Sequence, residues 1–207
     1  MQKAIELATA SVVQVGDGRG FVVEVANKYF GYARRLIITA AHCLPKMPPP
    51  ITAMYLHEKT WLNLVGPLRG KPGIAVECLF FDPISDLAVL GPPDDQELYE
   101  QTEAYEAFLE SLTPLPIAEA EETGEAWFLF LDKRWFSGRF DRIHWGSMWF
   151  SKLEQPIFGS MSGSPILNSE GAAIGVVNLG DTNPSAESEE WQTALYRNLA
   201  GWMLAKE

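Results

Sequence analysis

Cysteine is scarce in this chain, and that scarcity sets the first limit. Two residues, Cys43 and Cys78, do not make a disulfide framework, and nothing in their placement says that they pair. Histidine is scarce as well. Neither His57 nor His144 has a second and third ligand at metal spacing, so no metal and no cofactor are expected. Basic residues are outnumbered, 16 Lys and Arg against 27 Asp and Glu, for a net charge of −11. That balance argues against nucleic acid or an anionic membrane as the main partner. No apolar run is long enough to span a bilayer. The start, MQKAIELATASVV, lacks a basic segment followed by a long apolar run. No signal peptide is expected, and the expected location is cytoplasmic.

What is present points to β structure. Of 207 residues, 47% are apolar, enough for a substantial core in one domain or two small closely packed ones. Glycine and proline are scattered between short β-branched runs, the pattern of an all-β sandwich or barrel. Candidate strands are Ser11 to Val15, Gly20 to Ala26, Arg35 to Thr39, Ile51 to Leu56, Ile74 to Phe80 and Leu87 to Leu90. Asp17-Gly18 is a turn signal between the first two. Strands resume after Pro114: Ala126 to Leu131, Arg139 to His144, Ser147 to Phe150, Pro165 to Leu167 and Ala172 to Asn178.

Two segments read as helices. Asp94 to Leu112 places Leu98, Tyr105, Leu109 and Leu112 on one face, with an Asp94–Glu97 capping box at its start. Eleven acids and no Lys or Arg lie between Asp94 and Glu125, a run as large as the whole net charge. The acidic face is read as solvated, with a docking surface for a regulatory partner at 94–112 as the alternative. In the tail, Ser188 to Lys206, a stripe of Trp191, Leu195, Leu199 and Trp202 predicts a packing helix. The expected units are therefore 1–93, a helical linker at 94–113, 114–187, and a C-terminal helix at 188–207.

Three segments carry chemistry, in the order His, Asp, Ser. Thr39-Ala-Ala-His42-Cys43 ends an apolar strand, Asp86 begins Asp-Leu-Ala-Val-Leu, and Ser162 lies in the small-residue turn Gly159-Ser-Met-Ser-Gly-Ser-Pro165. A serine hydroxyl is a poor nucleophile at neutral pH until an imidazole takes its proton. A carboxylate on the other ring nitrogen fixes the tautomer and stabilises the imidazolium. Glycines beside the serine let the backbone turn and aim N–H groups at the developing oxyanion. Each piece alone has an ordinary structural reading; the order and the strand contexts together single out His42, Asp86 and Ser162 as a catalytic triad.

These strings, TAAHC, DLAVL and SGSPI followed by GAAIGVVNLG, resemble the chymotrypsin-like (trypsin-like) serine proteases, and most of all their compact bacterial members without structural disulfides. Gly18-Arg-Gly-Phe21 resembles a segment of their first barrel. The resemblance runs from about Ser11 to Gly180. It implies two antiparallel six-stranded β-barrels packed orthogonally, with His42 and Asp86 from the first and Ser162 from the second, and a serine endopeptidase acting on an extended peptide. The backbone N–H groups of Ser160 and Ser162 would form the oxyanion hole. Asn178-Leu179-Gly180 would pair with substrate, and Pro156 to Gly159 would wall the pocket for the side chain before the cut. Pro156 stands where an acid would mark trypsin-like specificity, so no strict Arg or Lys requirement is expected. Two departures stand out: Ser160 replaces a usual glycine, and Met161 a usual Asp or Asn. They favour, as the alternative, a weak or inactive protease-fold binding module.

Overall fold

Alternating and continuous apolar runs become strands almost where expected. The computed structural model describes residues 5, 7–27, 32–48, 59–142, 148–178, 193–195 and 199. Six strands build the first unit: β1 (Val12–Val15), β2 (Gly18–Asn27), β3 (Tyr32–Ala40), β4 (Thr60–Pro67), β5 (Ile74–Asp82) and β6 (Leu87–Gly91). They close into an antiparallel barrel in the order β1-β2-β3-β6-β5-β4, with β4 pairing back onto β1. Its interior is filled by Phe21, Ile37, Ile38, Val65, Val76 and Leu90, all essentially inaccessible. Each such side chain contributes about 1.5–3 kcal/mol through removal from water. β4 had no counterpart among the sequence-predicted strands, while the segment Ile51 to Leu56 and His57 lie outside the described residues.

The first turn sits one residue earlier than Asp17-Gly18 suggests. Val15 pairs with Gly18, so Gly16 and Asp17 make the turn, and Gly16 takes the positive φ of 54°. Gly18 is needed for a different reason. A Cβ there would lie 2.4 Å from Cys43 Sγ and 2.9 Å from the Ser162 carbonyl oxygen.

The helix α1 runs Tyr99–Glu110, starting five residues later than the expected start at Asp94 and ending two before Leu112. The N-cap is Leu98, without a side-chain cap bond, so Asp94 does not cap the helix. Asp94 instead makes a local turn, its Oδ1 accepting from Gln96 N at 2.9 Å and its carbonyl from Leu98 N at 2.8 Å. Thr102, Tyr105 and Leu109 are buried, and Glu100, Glu103, Glu106 and Glu110 face solvent. Arg35 in β3 donates to the carbonyls of Leu109 at 2.8 Å and Leu112 at 3.1 Å. A cation there satisfies the open end of the helix and its dipole.

Beyond the helix, an extended connector touches both units. Leu115 N donates to Val22 O at 2.8 Å, and Ala118 N to Ala173 O at 3.0 Å. The second unit has β7 (Thr123–Leu129), β8 (Trp135–Arg142), β9 (Met148–Ser151), β10 (Pro165–Leu167), β11 (Ala173–Val176) and β12 (Thr193–Leu195). Their order is β11-β10-β7-β8-β9-β12. This corrects the expectation of two closed barrels: among the described residues the second set is an open, curled half-barrel. Four of its strands have only three or four residues, and its two end strands do not pair with each other. Phe128 anchors its core, stacked on Phe136 at 5.3 Å and edge-on to Phe150 at 4.8 Å.

The tail brings a second correction. Thr193–Leu195, predicted as helix, pairs antiparallel with β9, Thr193 opposite Phe150 and Leu195 opposite Met148. The open edge of β9 supplies hydrogen-bond partners that outweigh a helical stripe, a tertiary override of local periodicity. Leu199 is buried, and the other residues of 188–207 lie outside the described ones.

Candidate active site

Strand register brings His42 and Asp86 together. Ala40, the last residue of β3, pairs with Leu87, the first of β6. The next residues on each strand, Ala41 and Asp86, therefore face each other, and Ala41 N donates to Asp86 O at 3.1 Å. A single 3-10 turn, Ala41–Cys43, then carries His42 over the carboxylate. His42 N donates to Asp86 Oδ1 at 2.9 Å, and Nδ1 lies 2.6 Å from Oδ2. A carboxylate only accepts, so Nδ1 carries the proton and Nε2 is left with a lone pair. Asp86 sits at φ 51°, a left-handed conformation that Asp tolerates better than most residues. The hydrogen bond to Asp86 raises the His42 pKa above its ordinary 6.5, against partial desolvation, and the Asp86 charge adds to the rise. The ring is half exposed, at 49% of its side-chain surface.

Ser162 is held from three directions. The 3-10 turn Gly159–Met161 precedes it. Its carbonyl accepts from Arg19 N of β2 at 2.7 Å. Gly163, at φ 81°, follows it and donates to Val177 O at 2.6 Å. No side chain fits at 163, because a Cβ would lie 1.7 Å from Arg19 O. The Ser162 carbonyl oxygen and Cys43 Sγ both crowd Gly18, so the serine and the chain neighbour of His42 meet across one glycine. No hydrogen bond joins Ser162 Oγ to the His42 ring among those of the described residues.

The turn before the serine is wound inward. Ser162 N donates to Gly159 O at 3.1 Å, and Met161 N to Phe158 O at 2.9 Å. Of the two N–H groups expected to line an oxyanion hole, that of Ser162 is thus engaged by a carbonyl. Ser160 is exposed and is not among the residues at positive φ. Met161 is fully buried in the second core, so apolar packing anchors the turn where an ion pair was absent from the sequence.

The remaining expected residues divide. Pro156 is half-buried, and Gly159 is exposed with open space where its Cβ would be. Phe158 beside them is 42% exposed, its ring 5.9 Å from that of Phe130. Asn178 is buried, and its Nδ2 donates to Ser85 O at 3.2 Å, next to Asp86. Leu179, Gly180 and His144 lie outside the described residues. Cys43 and Cys78 are free. Burial, first of all, pushes the Cys43 thiol up to about 11, which leaves it neutral and unreactive at ordinary pH.

No family model and no curated protein matches the sequence. Solved structures do match. Deg5 is similar over 86% of this chain and 83% of its own, with a TM-score of 0.53 and 17% identity. The NS6 protease from murine norovirus 1 is similar over 97% of this chain and 96% of its own, with a TM-score of 0.52 and 16% identity. The fold is chymotrypsin-like. The active form of the Rv3671c protease from M. tuberculosis is a further example, at TM-score 0.50 and 15% identity over 94% of this chain and 78% of its own. Within that fold, among the described residues, the first barrel is closed and the second set of strands is an open half-barrel.

One residue of the site was not singled out from sequence. Arg19 is 4% exposed, and its side chain crosses from β2 into the second unit. It lies between Gly18 and Gly20, at both of which the structure leaves no room for a side chain.

Proposed function

We propose that the chain is a serine endopeptidase, with Ser162 as nucleophile, His42 as general base and Asp86 as the orienting carboxylate. The observation that carries this reading is the two-point contact of His42 with Asp86, through its backbone N–H and its Nδ1. It leaves Nε2 as the only ring nitrogen able to take a proton. Ser162 Oγ attacks the substrate carbonyl and its proton passes to Nε2. The carbonyl π electrons move to oxygen, and the tetrahedral adduct collapses as His42 returns the proton to the leaving amine. Water then repeats the sequence on the acyl-enzyme, releasing the acid and restoring Ser162.

Turnover on this reading requires the turn at 159–162 to unwind. Gly159 O must leave Ser162 N so that the N–H can meet the oxyanion. Breaking that hydrogen bond costs about 0.5–1.5 kcal/mol net. A single oxyanion donor stabilises the transition state by about 2.7–4 kcal/mol. The second quantity is larger, so the reacting substrate favours the open turn even though the resting chain favours the closed one. The segment 156–163, PIFGSMSG, contains no acid to anchor a basic side chain. Its exposed Phe158 favours a neutral or apolar residue before the cut.

The second reading is a binding module that keeps the fold without turnover. It is favoured by the engaged Ser162 N–H and by the missing Ser162–His42 hydrogen bond. A fluorophosphonate probe separates the two. Labelling that disappears in Ser162→Ala supports an active serine. A wild-type chain that stays unlabelled leaves the binding module.

A further inference from the structure

The segment 162–164 is registered, residue by residue, on one arginine. Arg19 N binds the carbonyl of Ser162 at 2.7 Å. The Arg19 carbonyl oxygen fills the space that a side chain at 163 would need. Its Nη1 donates to Ser164 Oγ at 3.3 Å. The same guanidinium reaches the turn after β7, with Nη1 on Leu129 O at 2.6 Å and Nη2 on Phe130 O at 3.3 Å. On the other side, the Arg19 carbonyl accepts from Thr39 Oγ1 at 2.6 Å. Thr39 lies three residues before His42 on the strand that delivers the imidazole. Both halves of the site are therefore measured from the same residue.

The chemistry of the side chain suits the task. A guanidinium is a planar fork that holds several acceptors in fixed relative positions, which a point charge does not do. Here it is buried, and its partners are two carbonyls and a hydroxyl, all neutral. A cation withdrawn from water keeps such bonds, because releasing them leaves it uncompensated. Burial, with Arg69 nearby, lowers its pKa to about 10, so it stays charged through the neutral range.

We propose that the Arg19 side chain is a positioning residue for the Ser162 nucleophile, setting its approach to His42 from across the interface between the two units. The proposal rests on Ser162 being the nucleophile. Arg19 touches no reacting atom; it acts through Ser164 and the 129–130 turn. A misplacement of about 1 Å at a reacting centre costs about a hundredfold in rate, and that is the scale on which loss of the fork is read.

The test measures the rate of Ser162 labelling by a fluorophosphonate, and kcat and KM on one peptide, below the unfolding range of each variant. Near-ultraviolet circular dichroism reports that each is folded. Arg19→Met keeps the stem and removes the fork. It is expected to label about a hundredfold more slowly, with kcat lowered in parallel and KM changed less than about twofold. Arg19→Lys keeps the charge but not the fork and is expected to restore only about a tenth of the wild-type rate. Ser164→Ala removes one acceptor and is expected to slow labelling about fivefold. Folded Arg19→Met that labels at the wild-type rate overturns the proposal and leaves Ser162 standing. Should Arg19→Met not fold, wild-type rates in both Arg19→Lys and Ser164→Ala overturn it equally. A wild-type chain that takes no label, or one still labelled after Ser162→Ala, removes the nucleophile itself and the proposal with it.

Discussion

The two halves of the candidate site reach different degrees of completion. On the barrel side, closure through β4 and β1 fixes the register of β3 against β6, and the His42–Asp86 pair follows from that register with two hydrogen bonds in place. On the half-barrel side, the sheet is open among the described residues, and the turn before Ser162 closes on itself through Gly159 O. Closed sheets transmit register from strand to strand; a turn hung on an open sheet takes the conformation of its own strongest local hydrogen bonds. On our reading the base is ready at rest and the oxyanion site is not, so control of activity belongs to the Ser162 turn.

The sharpest way to break this contrast is to remove either side. Ser162→Ala and His42→Ala are each expected to lower kcat by about a millionfold while the chain stays folded. Peptide hydrolysis checks both, and substantial cleavage by either would end the assignment. Asp86→Asn comes next, with a loss on the order of ten-thousandfold. The amide can donate to Nδ1 and so favours the tautomer with no lone pair on that side of the reaction, at Nε2. Steady-state rates on the same peptide measure it, and a loss under tenfold would show that the pair at 2.6 Å is structural.

The half-barrel side gives a smaller and opposite effect. Rotating the Gly159–Ser160 peptide to free Ser162 N moves residue 160 toward positive φ, a conformation about 1–2 kcal/mol worse for a side chain than for glycine. Ser160→Gly is therefore expected to raise the labelling rate about tenfold; equal rates would mean that 160 does not gate the turn.

The mildest test is pH. The fold raises the His42 pKa, so its protonated form carries stabilisation that is complete below the ordinary imidazole value of 6.5 and lost as pH rises through the raised one. The free base appears over that same rise, so kcat/KM should climb along a limb centred above 6.5. Asp86→Asn should shift the limb to lower pH, since the hydrogen bond that His42 donates to the carboxylate is the main cause of the rise. A flat profile would remove His42 as base.

Much of this was legible in the sequence, for identifiable reasons. Runs such as Leu36-Ile-Ile38 and Leu87-Ala-Val-Leu90 are continuously apolar, so they became the centre of β3 and nearly the whole of β6. His42 and Asp86 were found because each stands at the edge of such a run, and Ser162 because it stands in the small-residue turn Gly159–Pro165; their chemistry remains the reading proposed above. β4 was missed because its Trp61-Leu-Asn63 stretch is partly exposed and ends in Gly-Pro, which masks the alternation. The start of α1 was misplaced because Asp94 satisfies its own local turn before the helix begins. Among the described residues, closure of one sheet and not the other depends on pairings between distant strands, which leave no mark on residue type. The winding of the Ser162 turn left one mark, Ser160 in place of a usual glycine, but the peptide orientation itself could not be read from it. Arg19 was passed over because composition does not say which arginine is buried.

The fit of Gly163 against Arg19 has a consequence for how the molecule is assembled. The turn that carries Ser162 has its walls on another unit, some 140 residues earlier in the chain. A growing chain can close its barrel and pair His42 with Asp86 before Ser162 exists. The serine acquires a fixed position only when the later strands dock onto β2. On our reading, competence therefore waits on that docking, and a chain lacking the later strands would carry a base with nothing to activate.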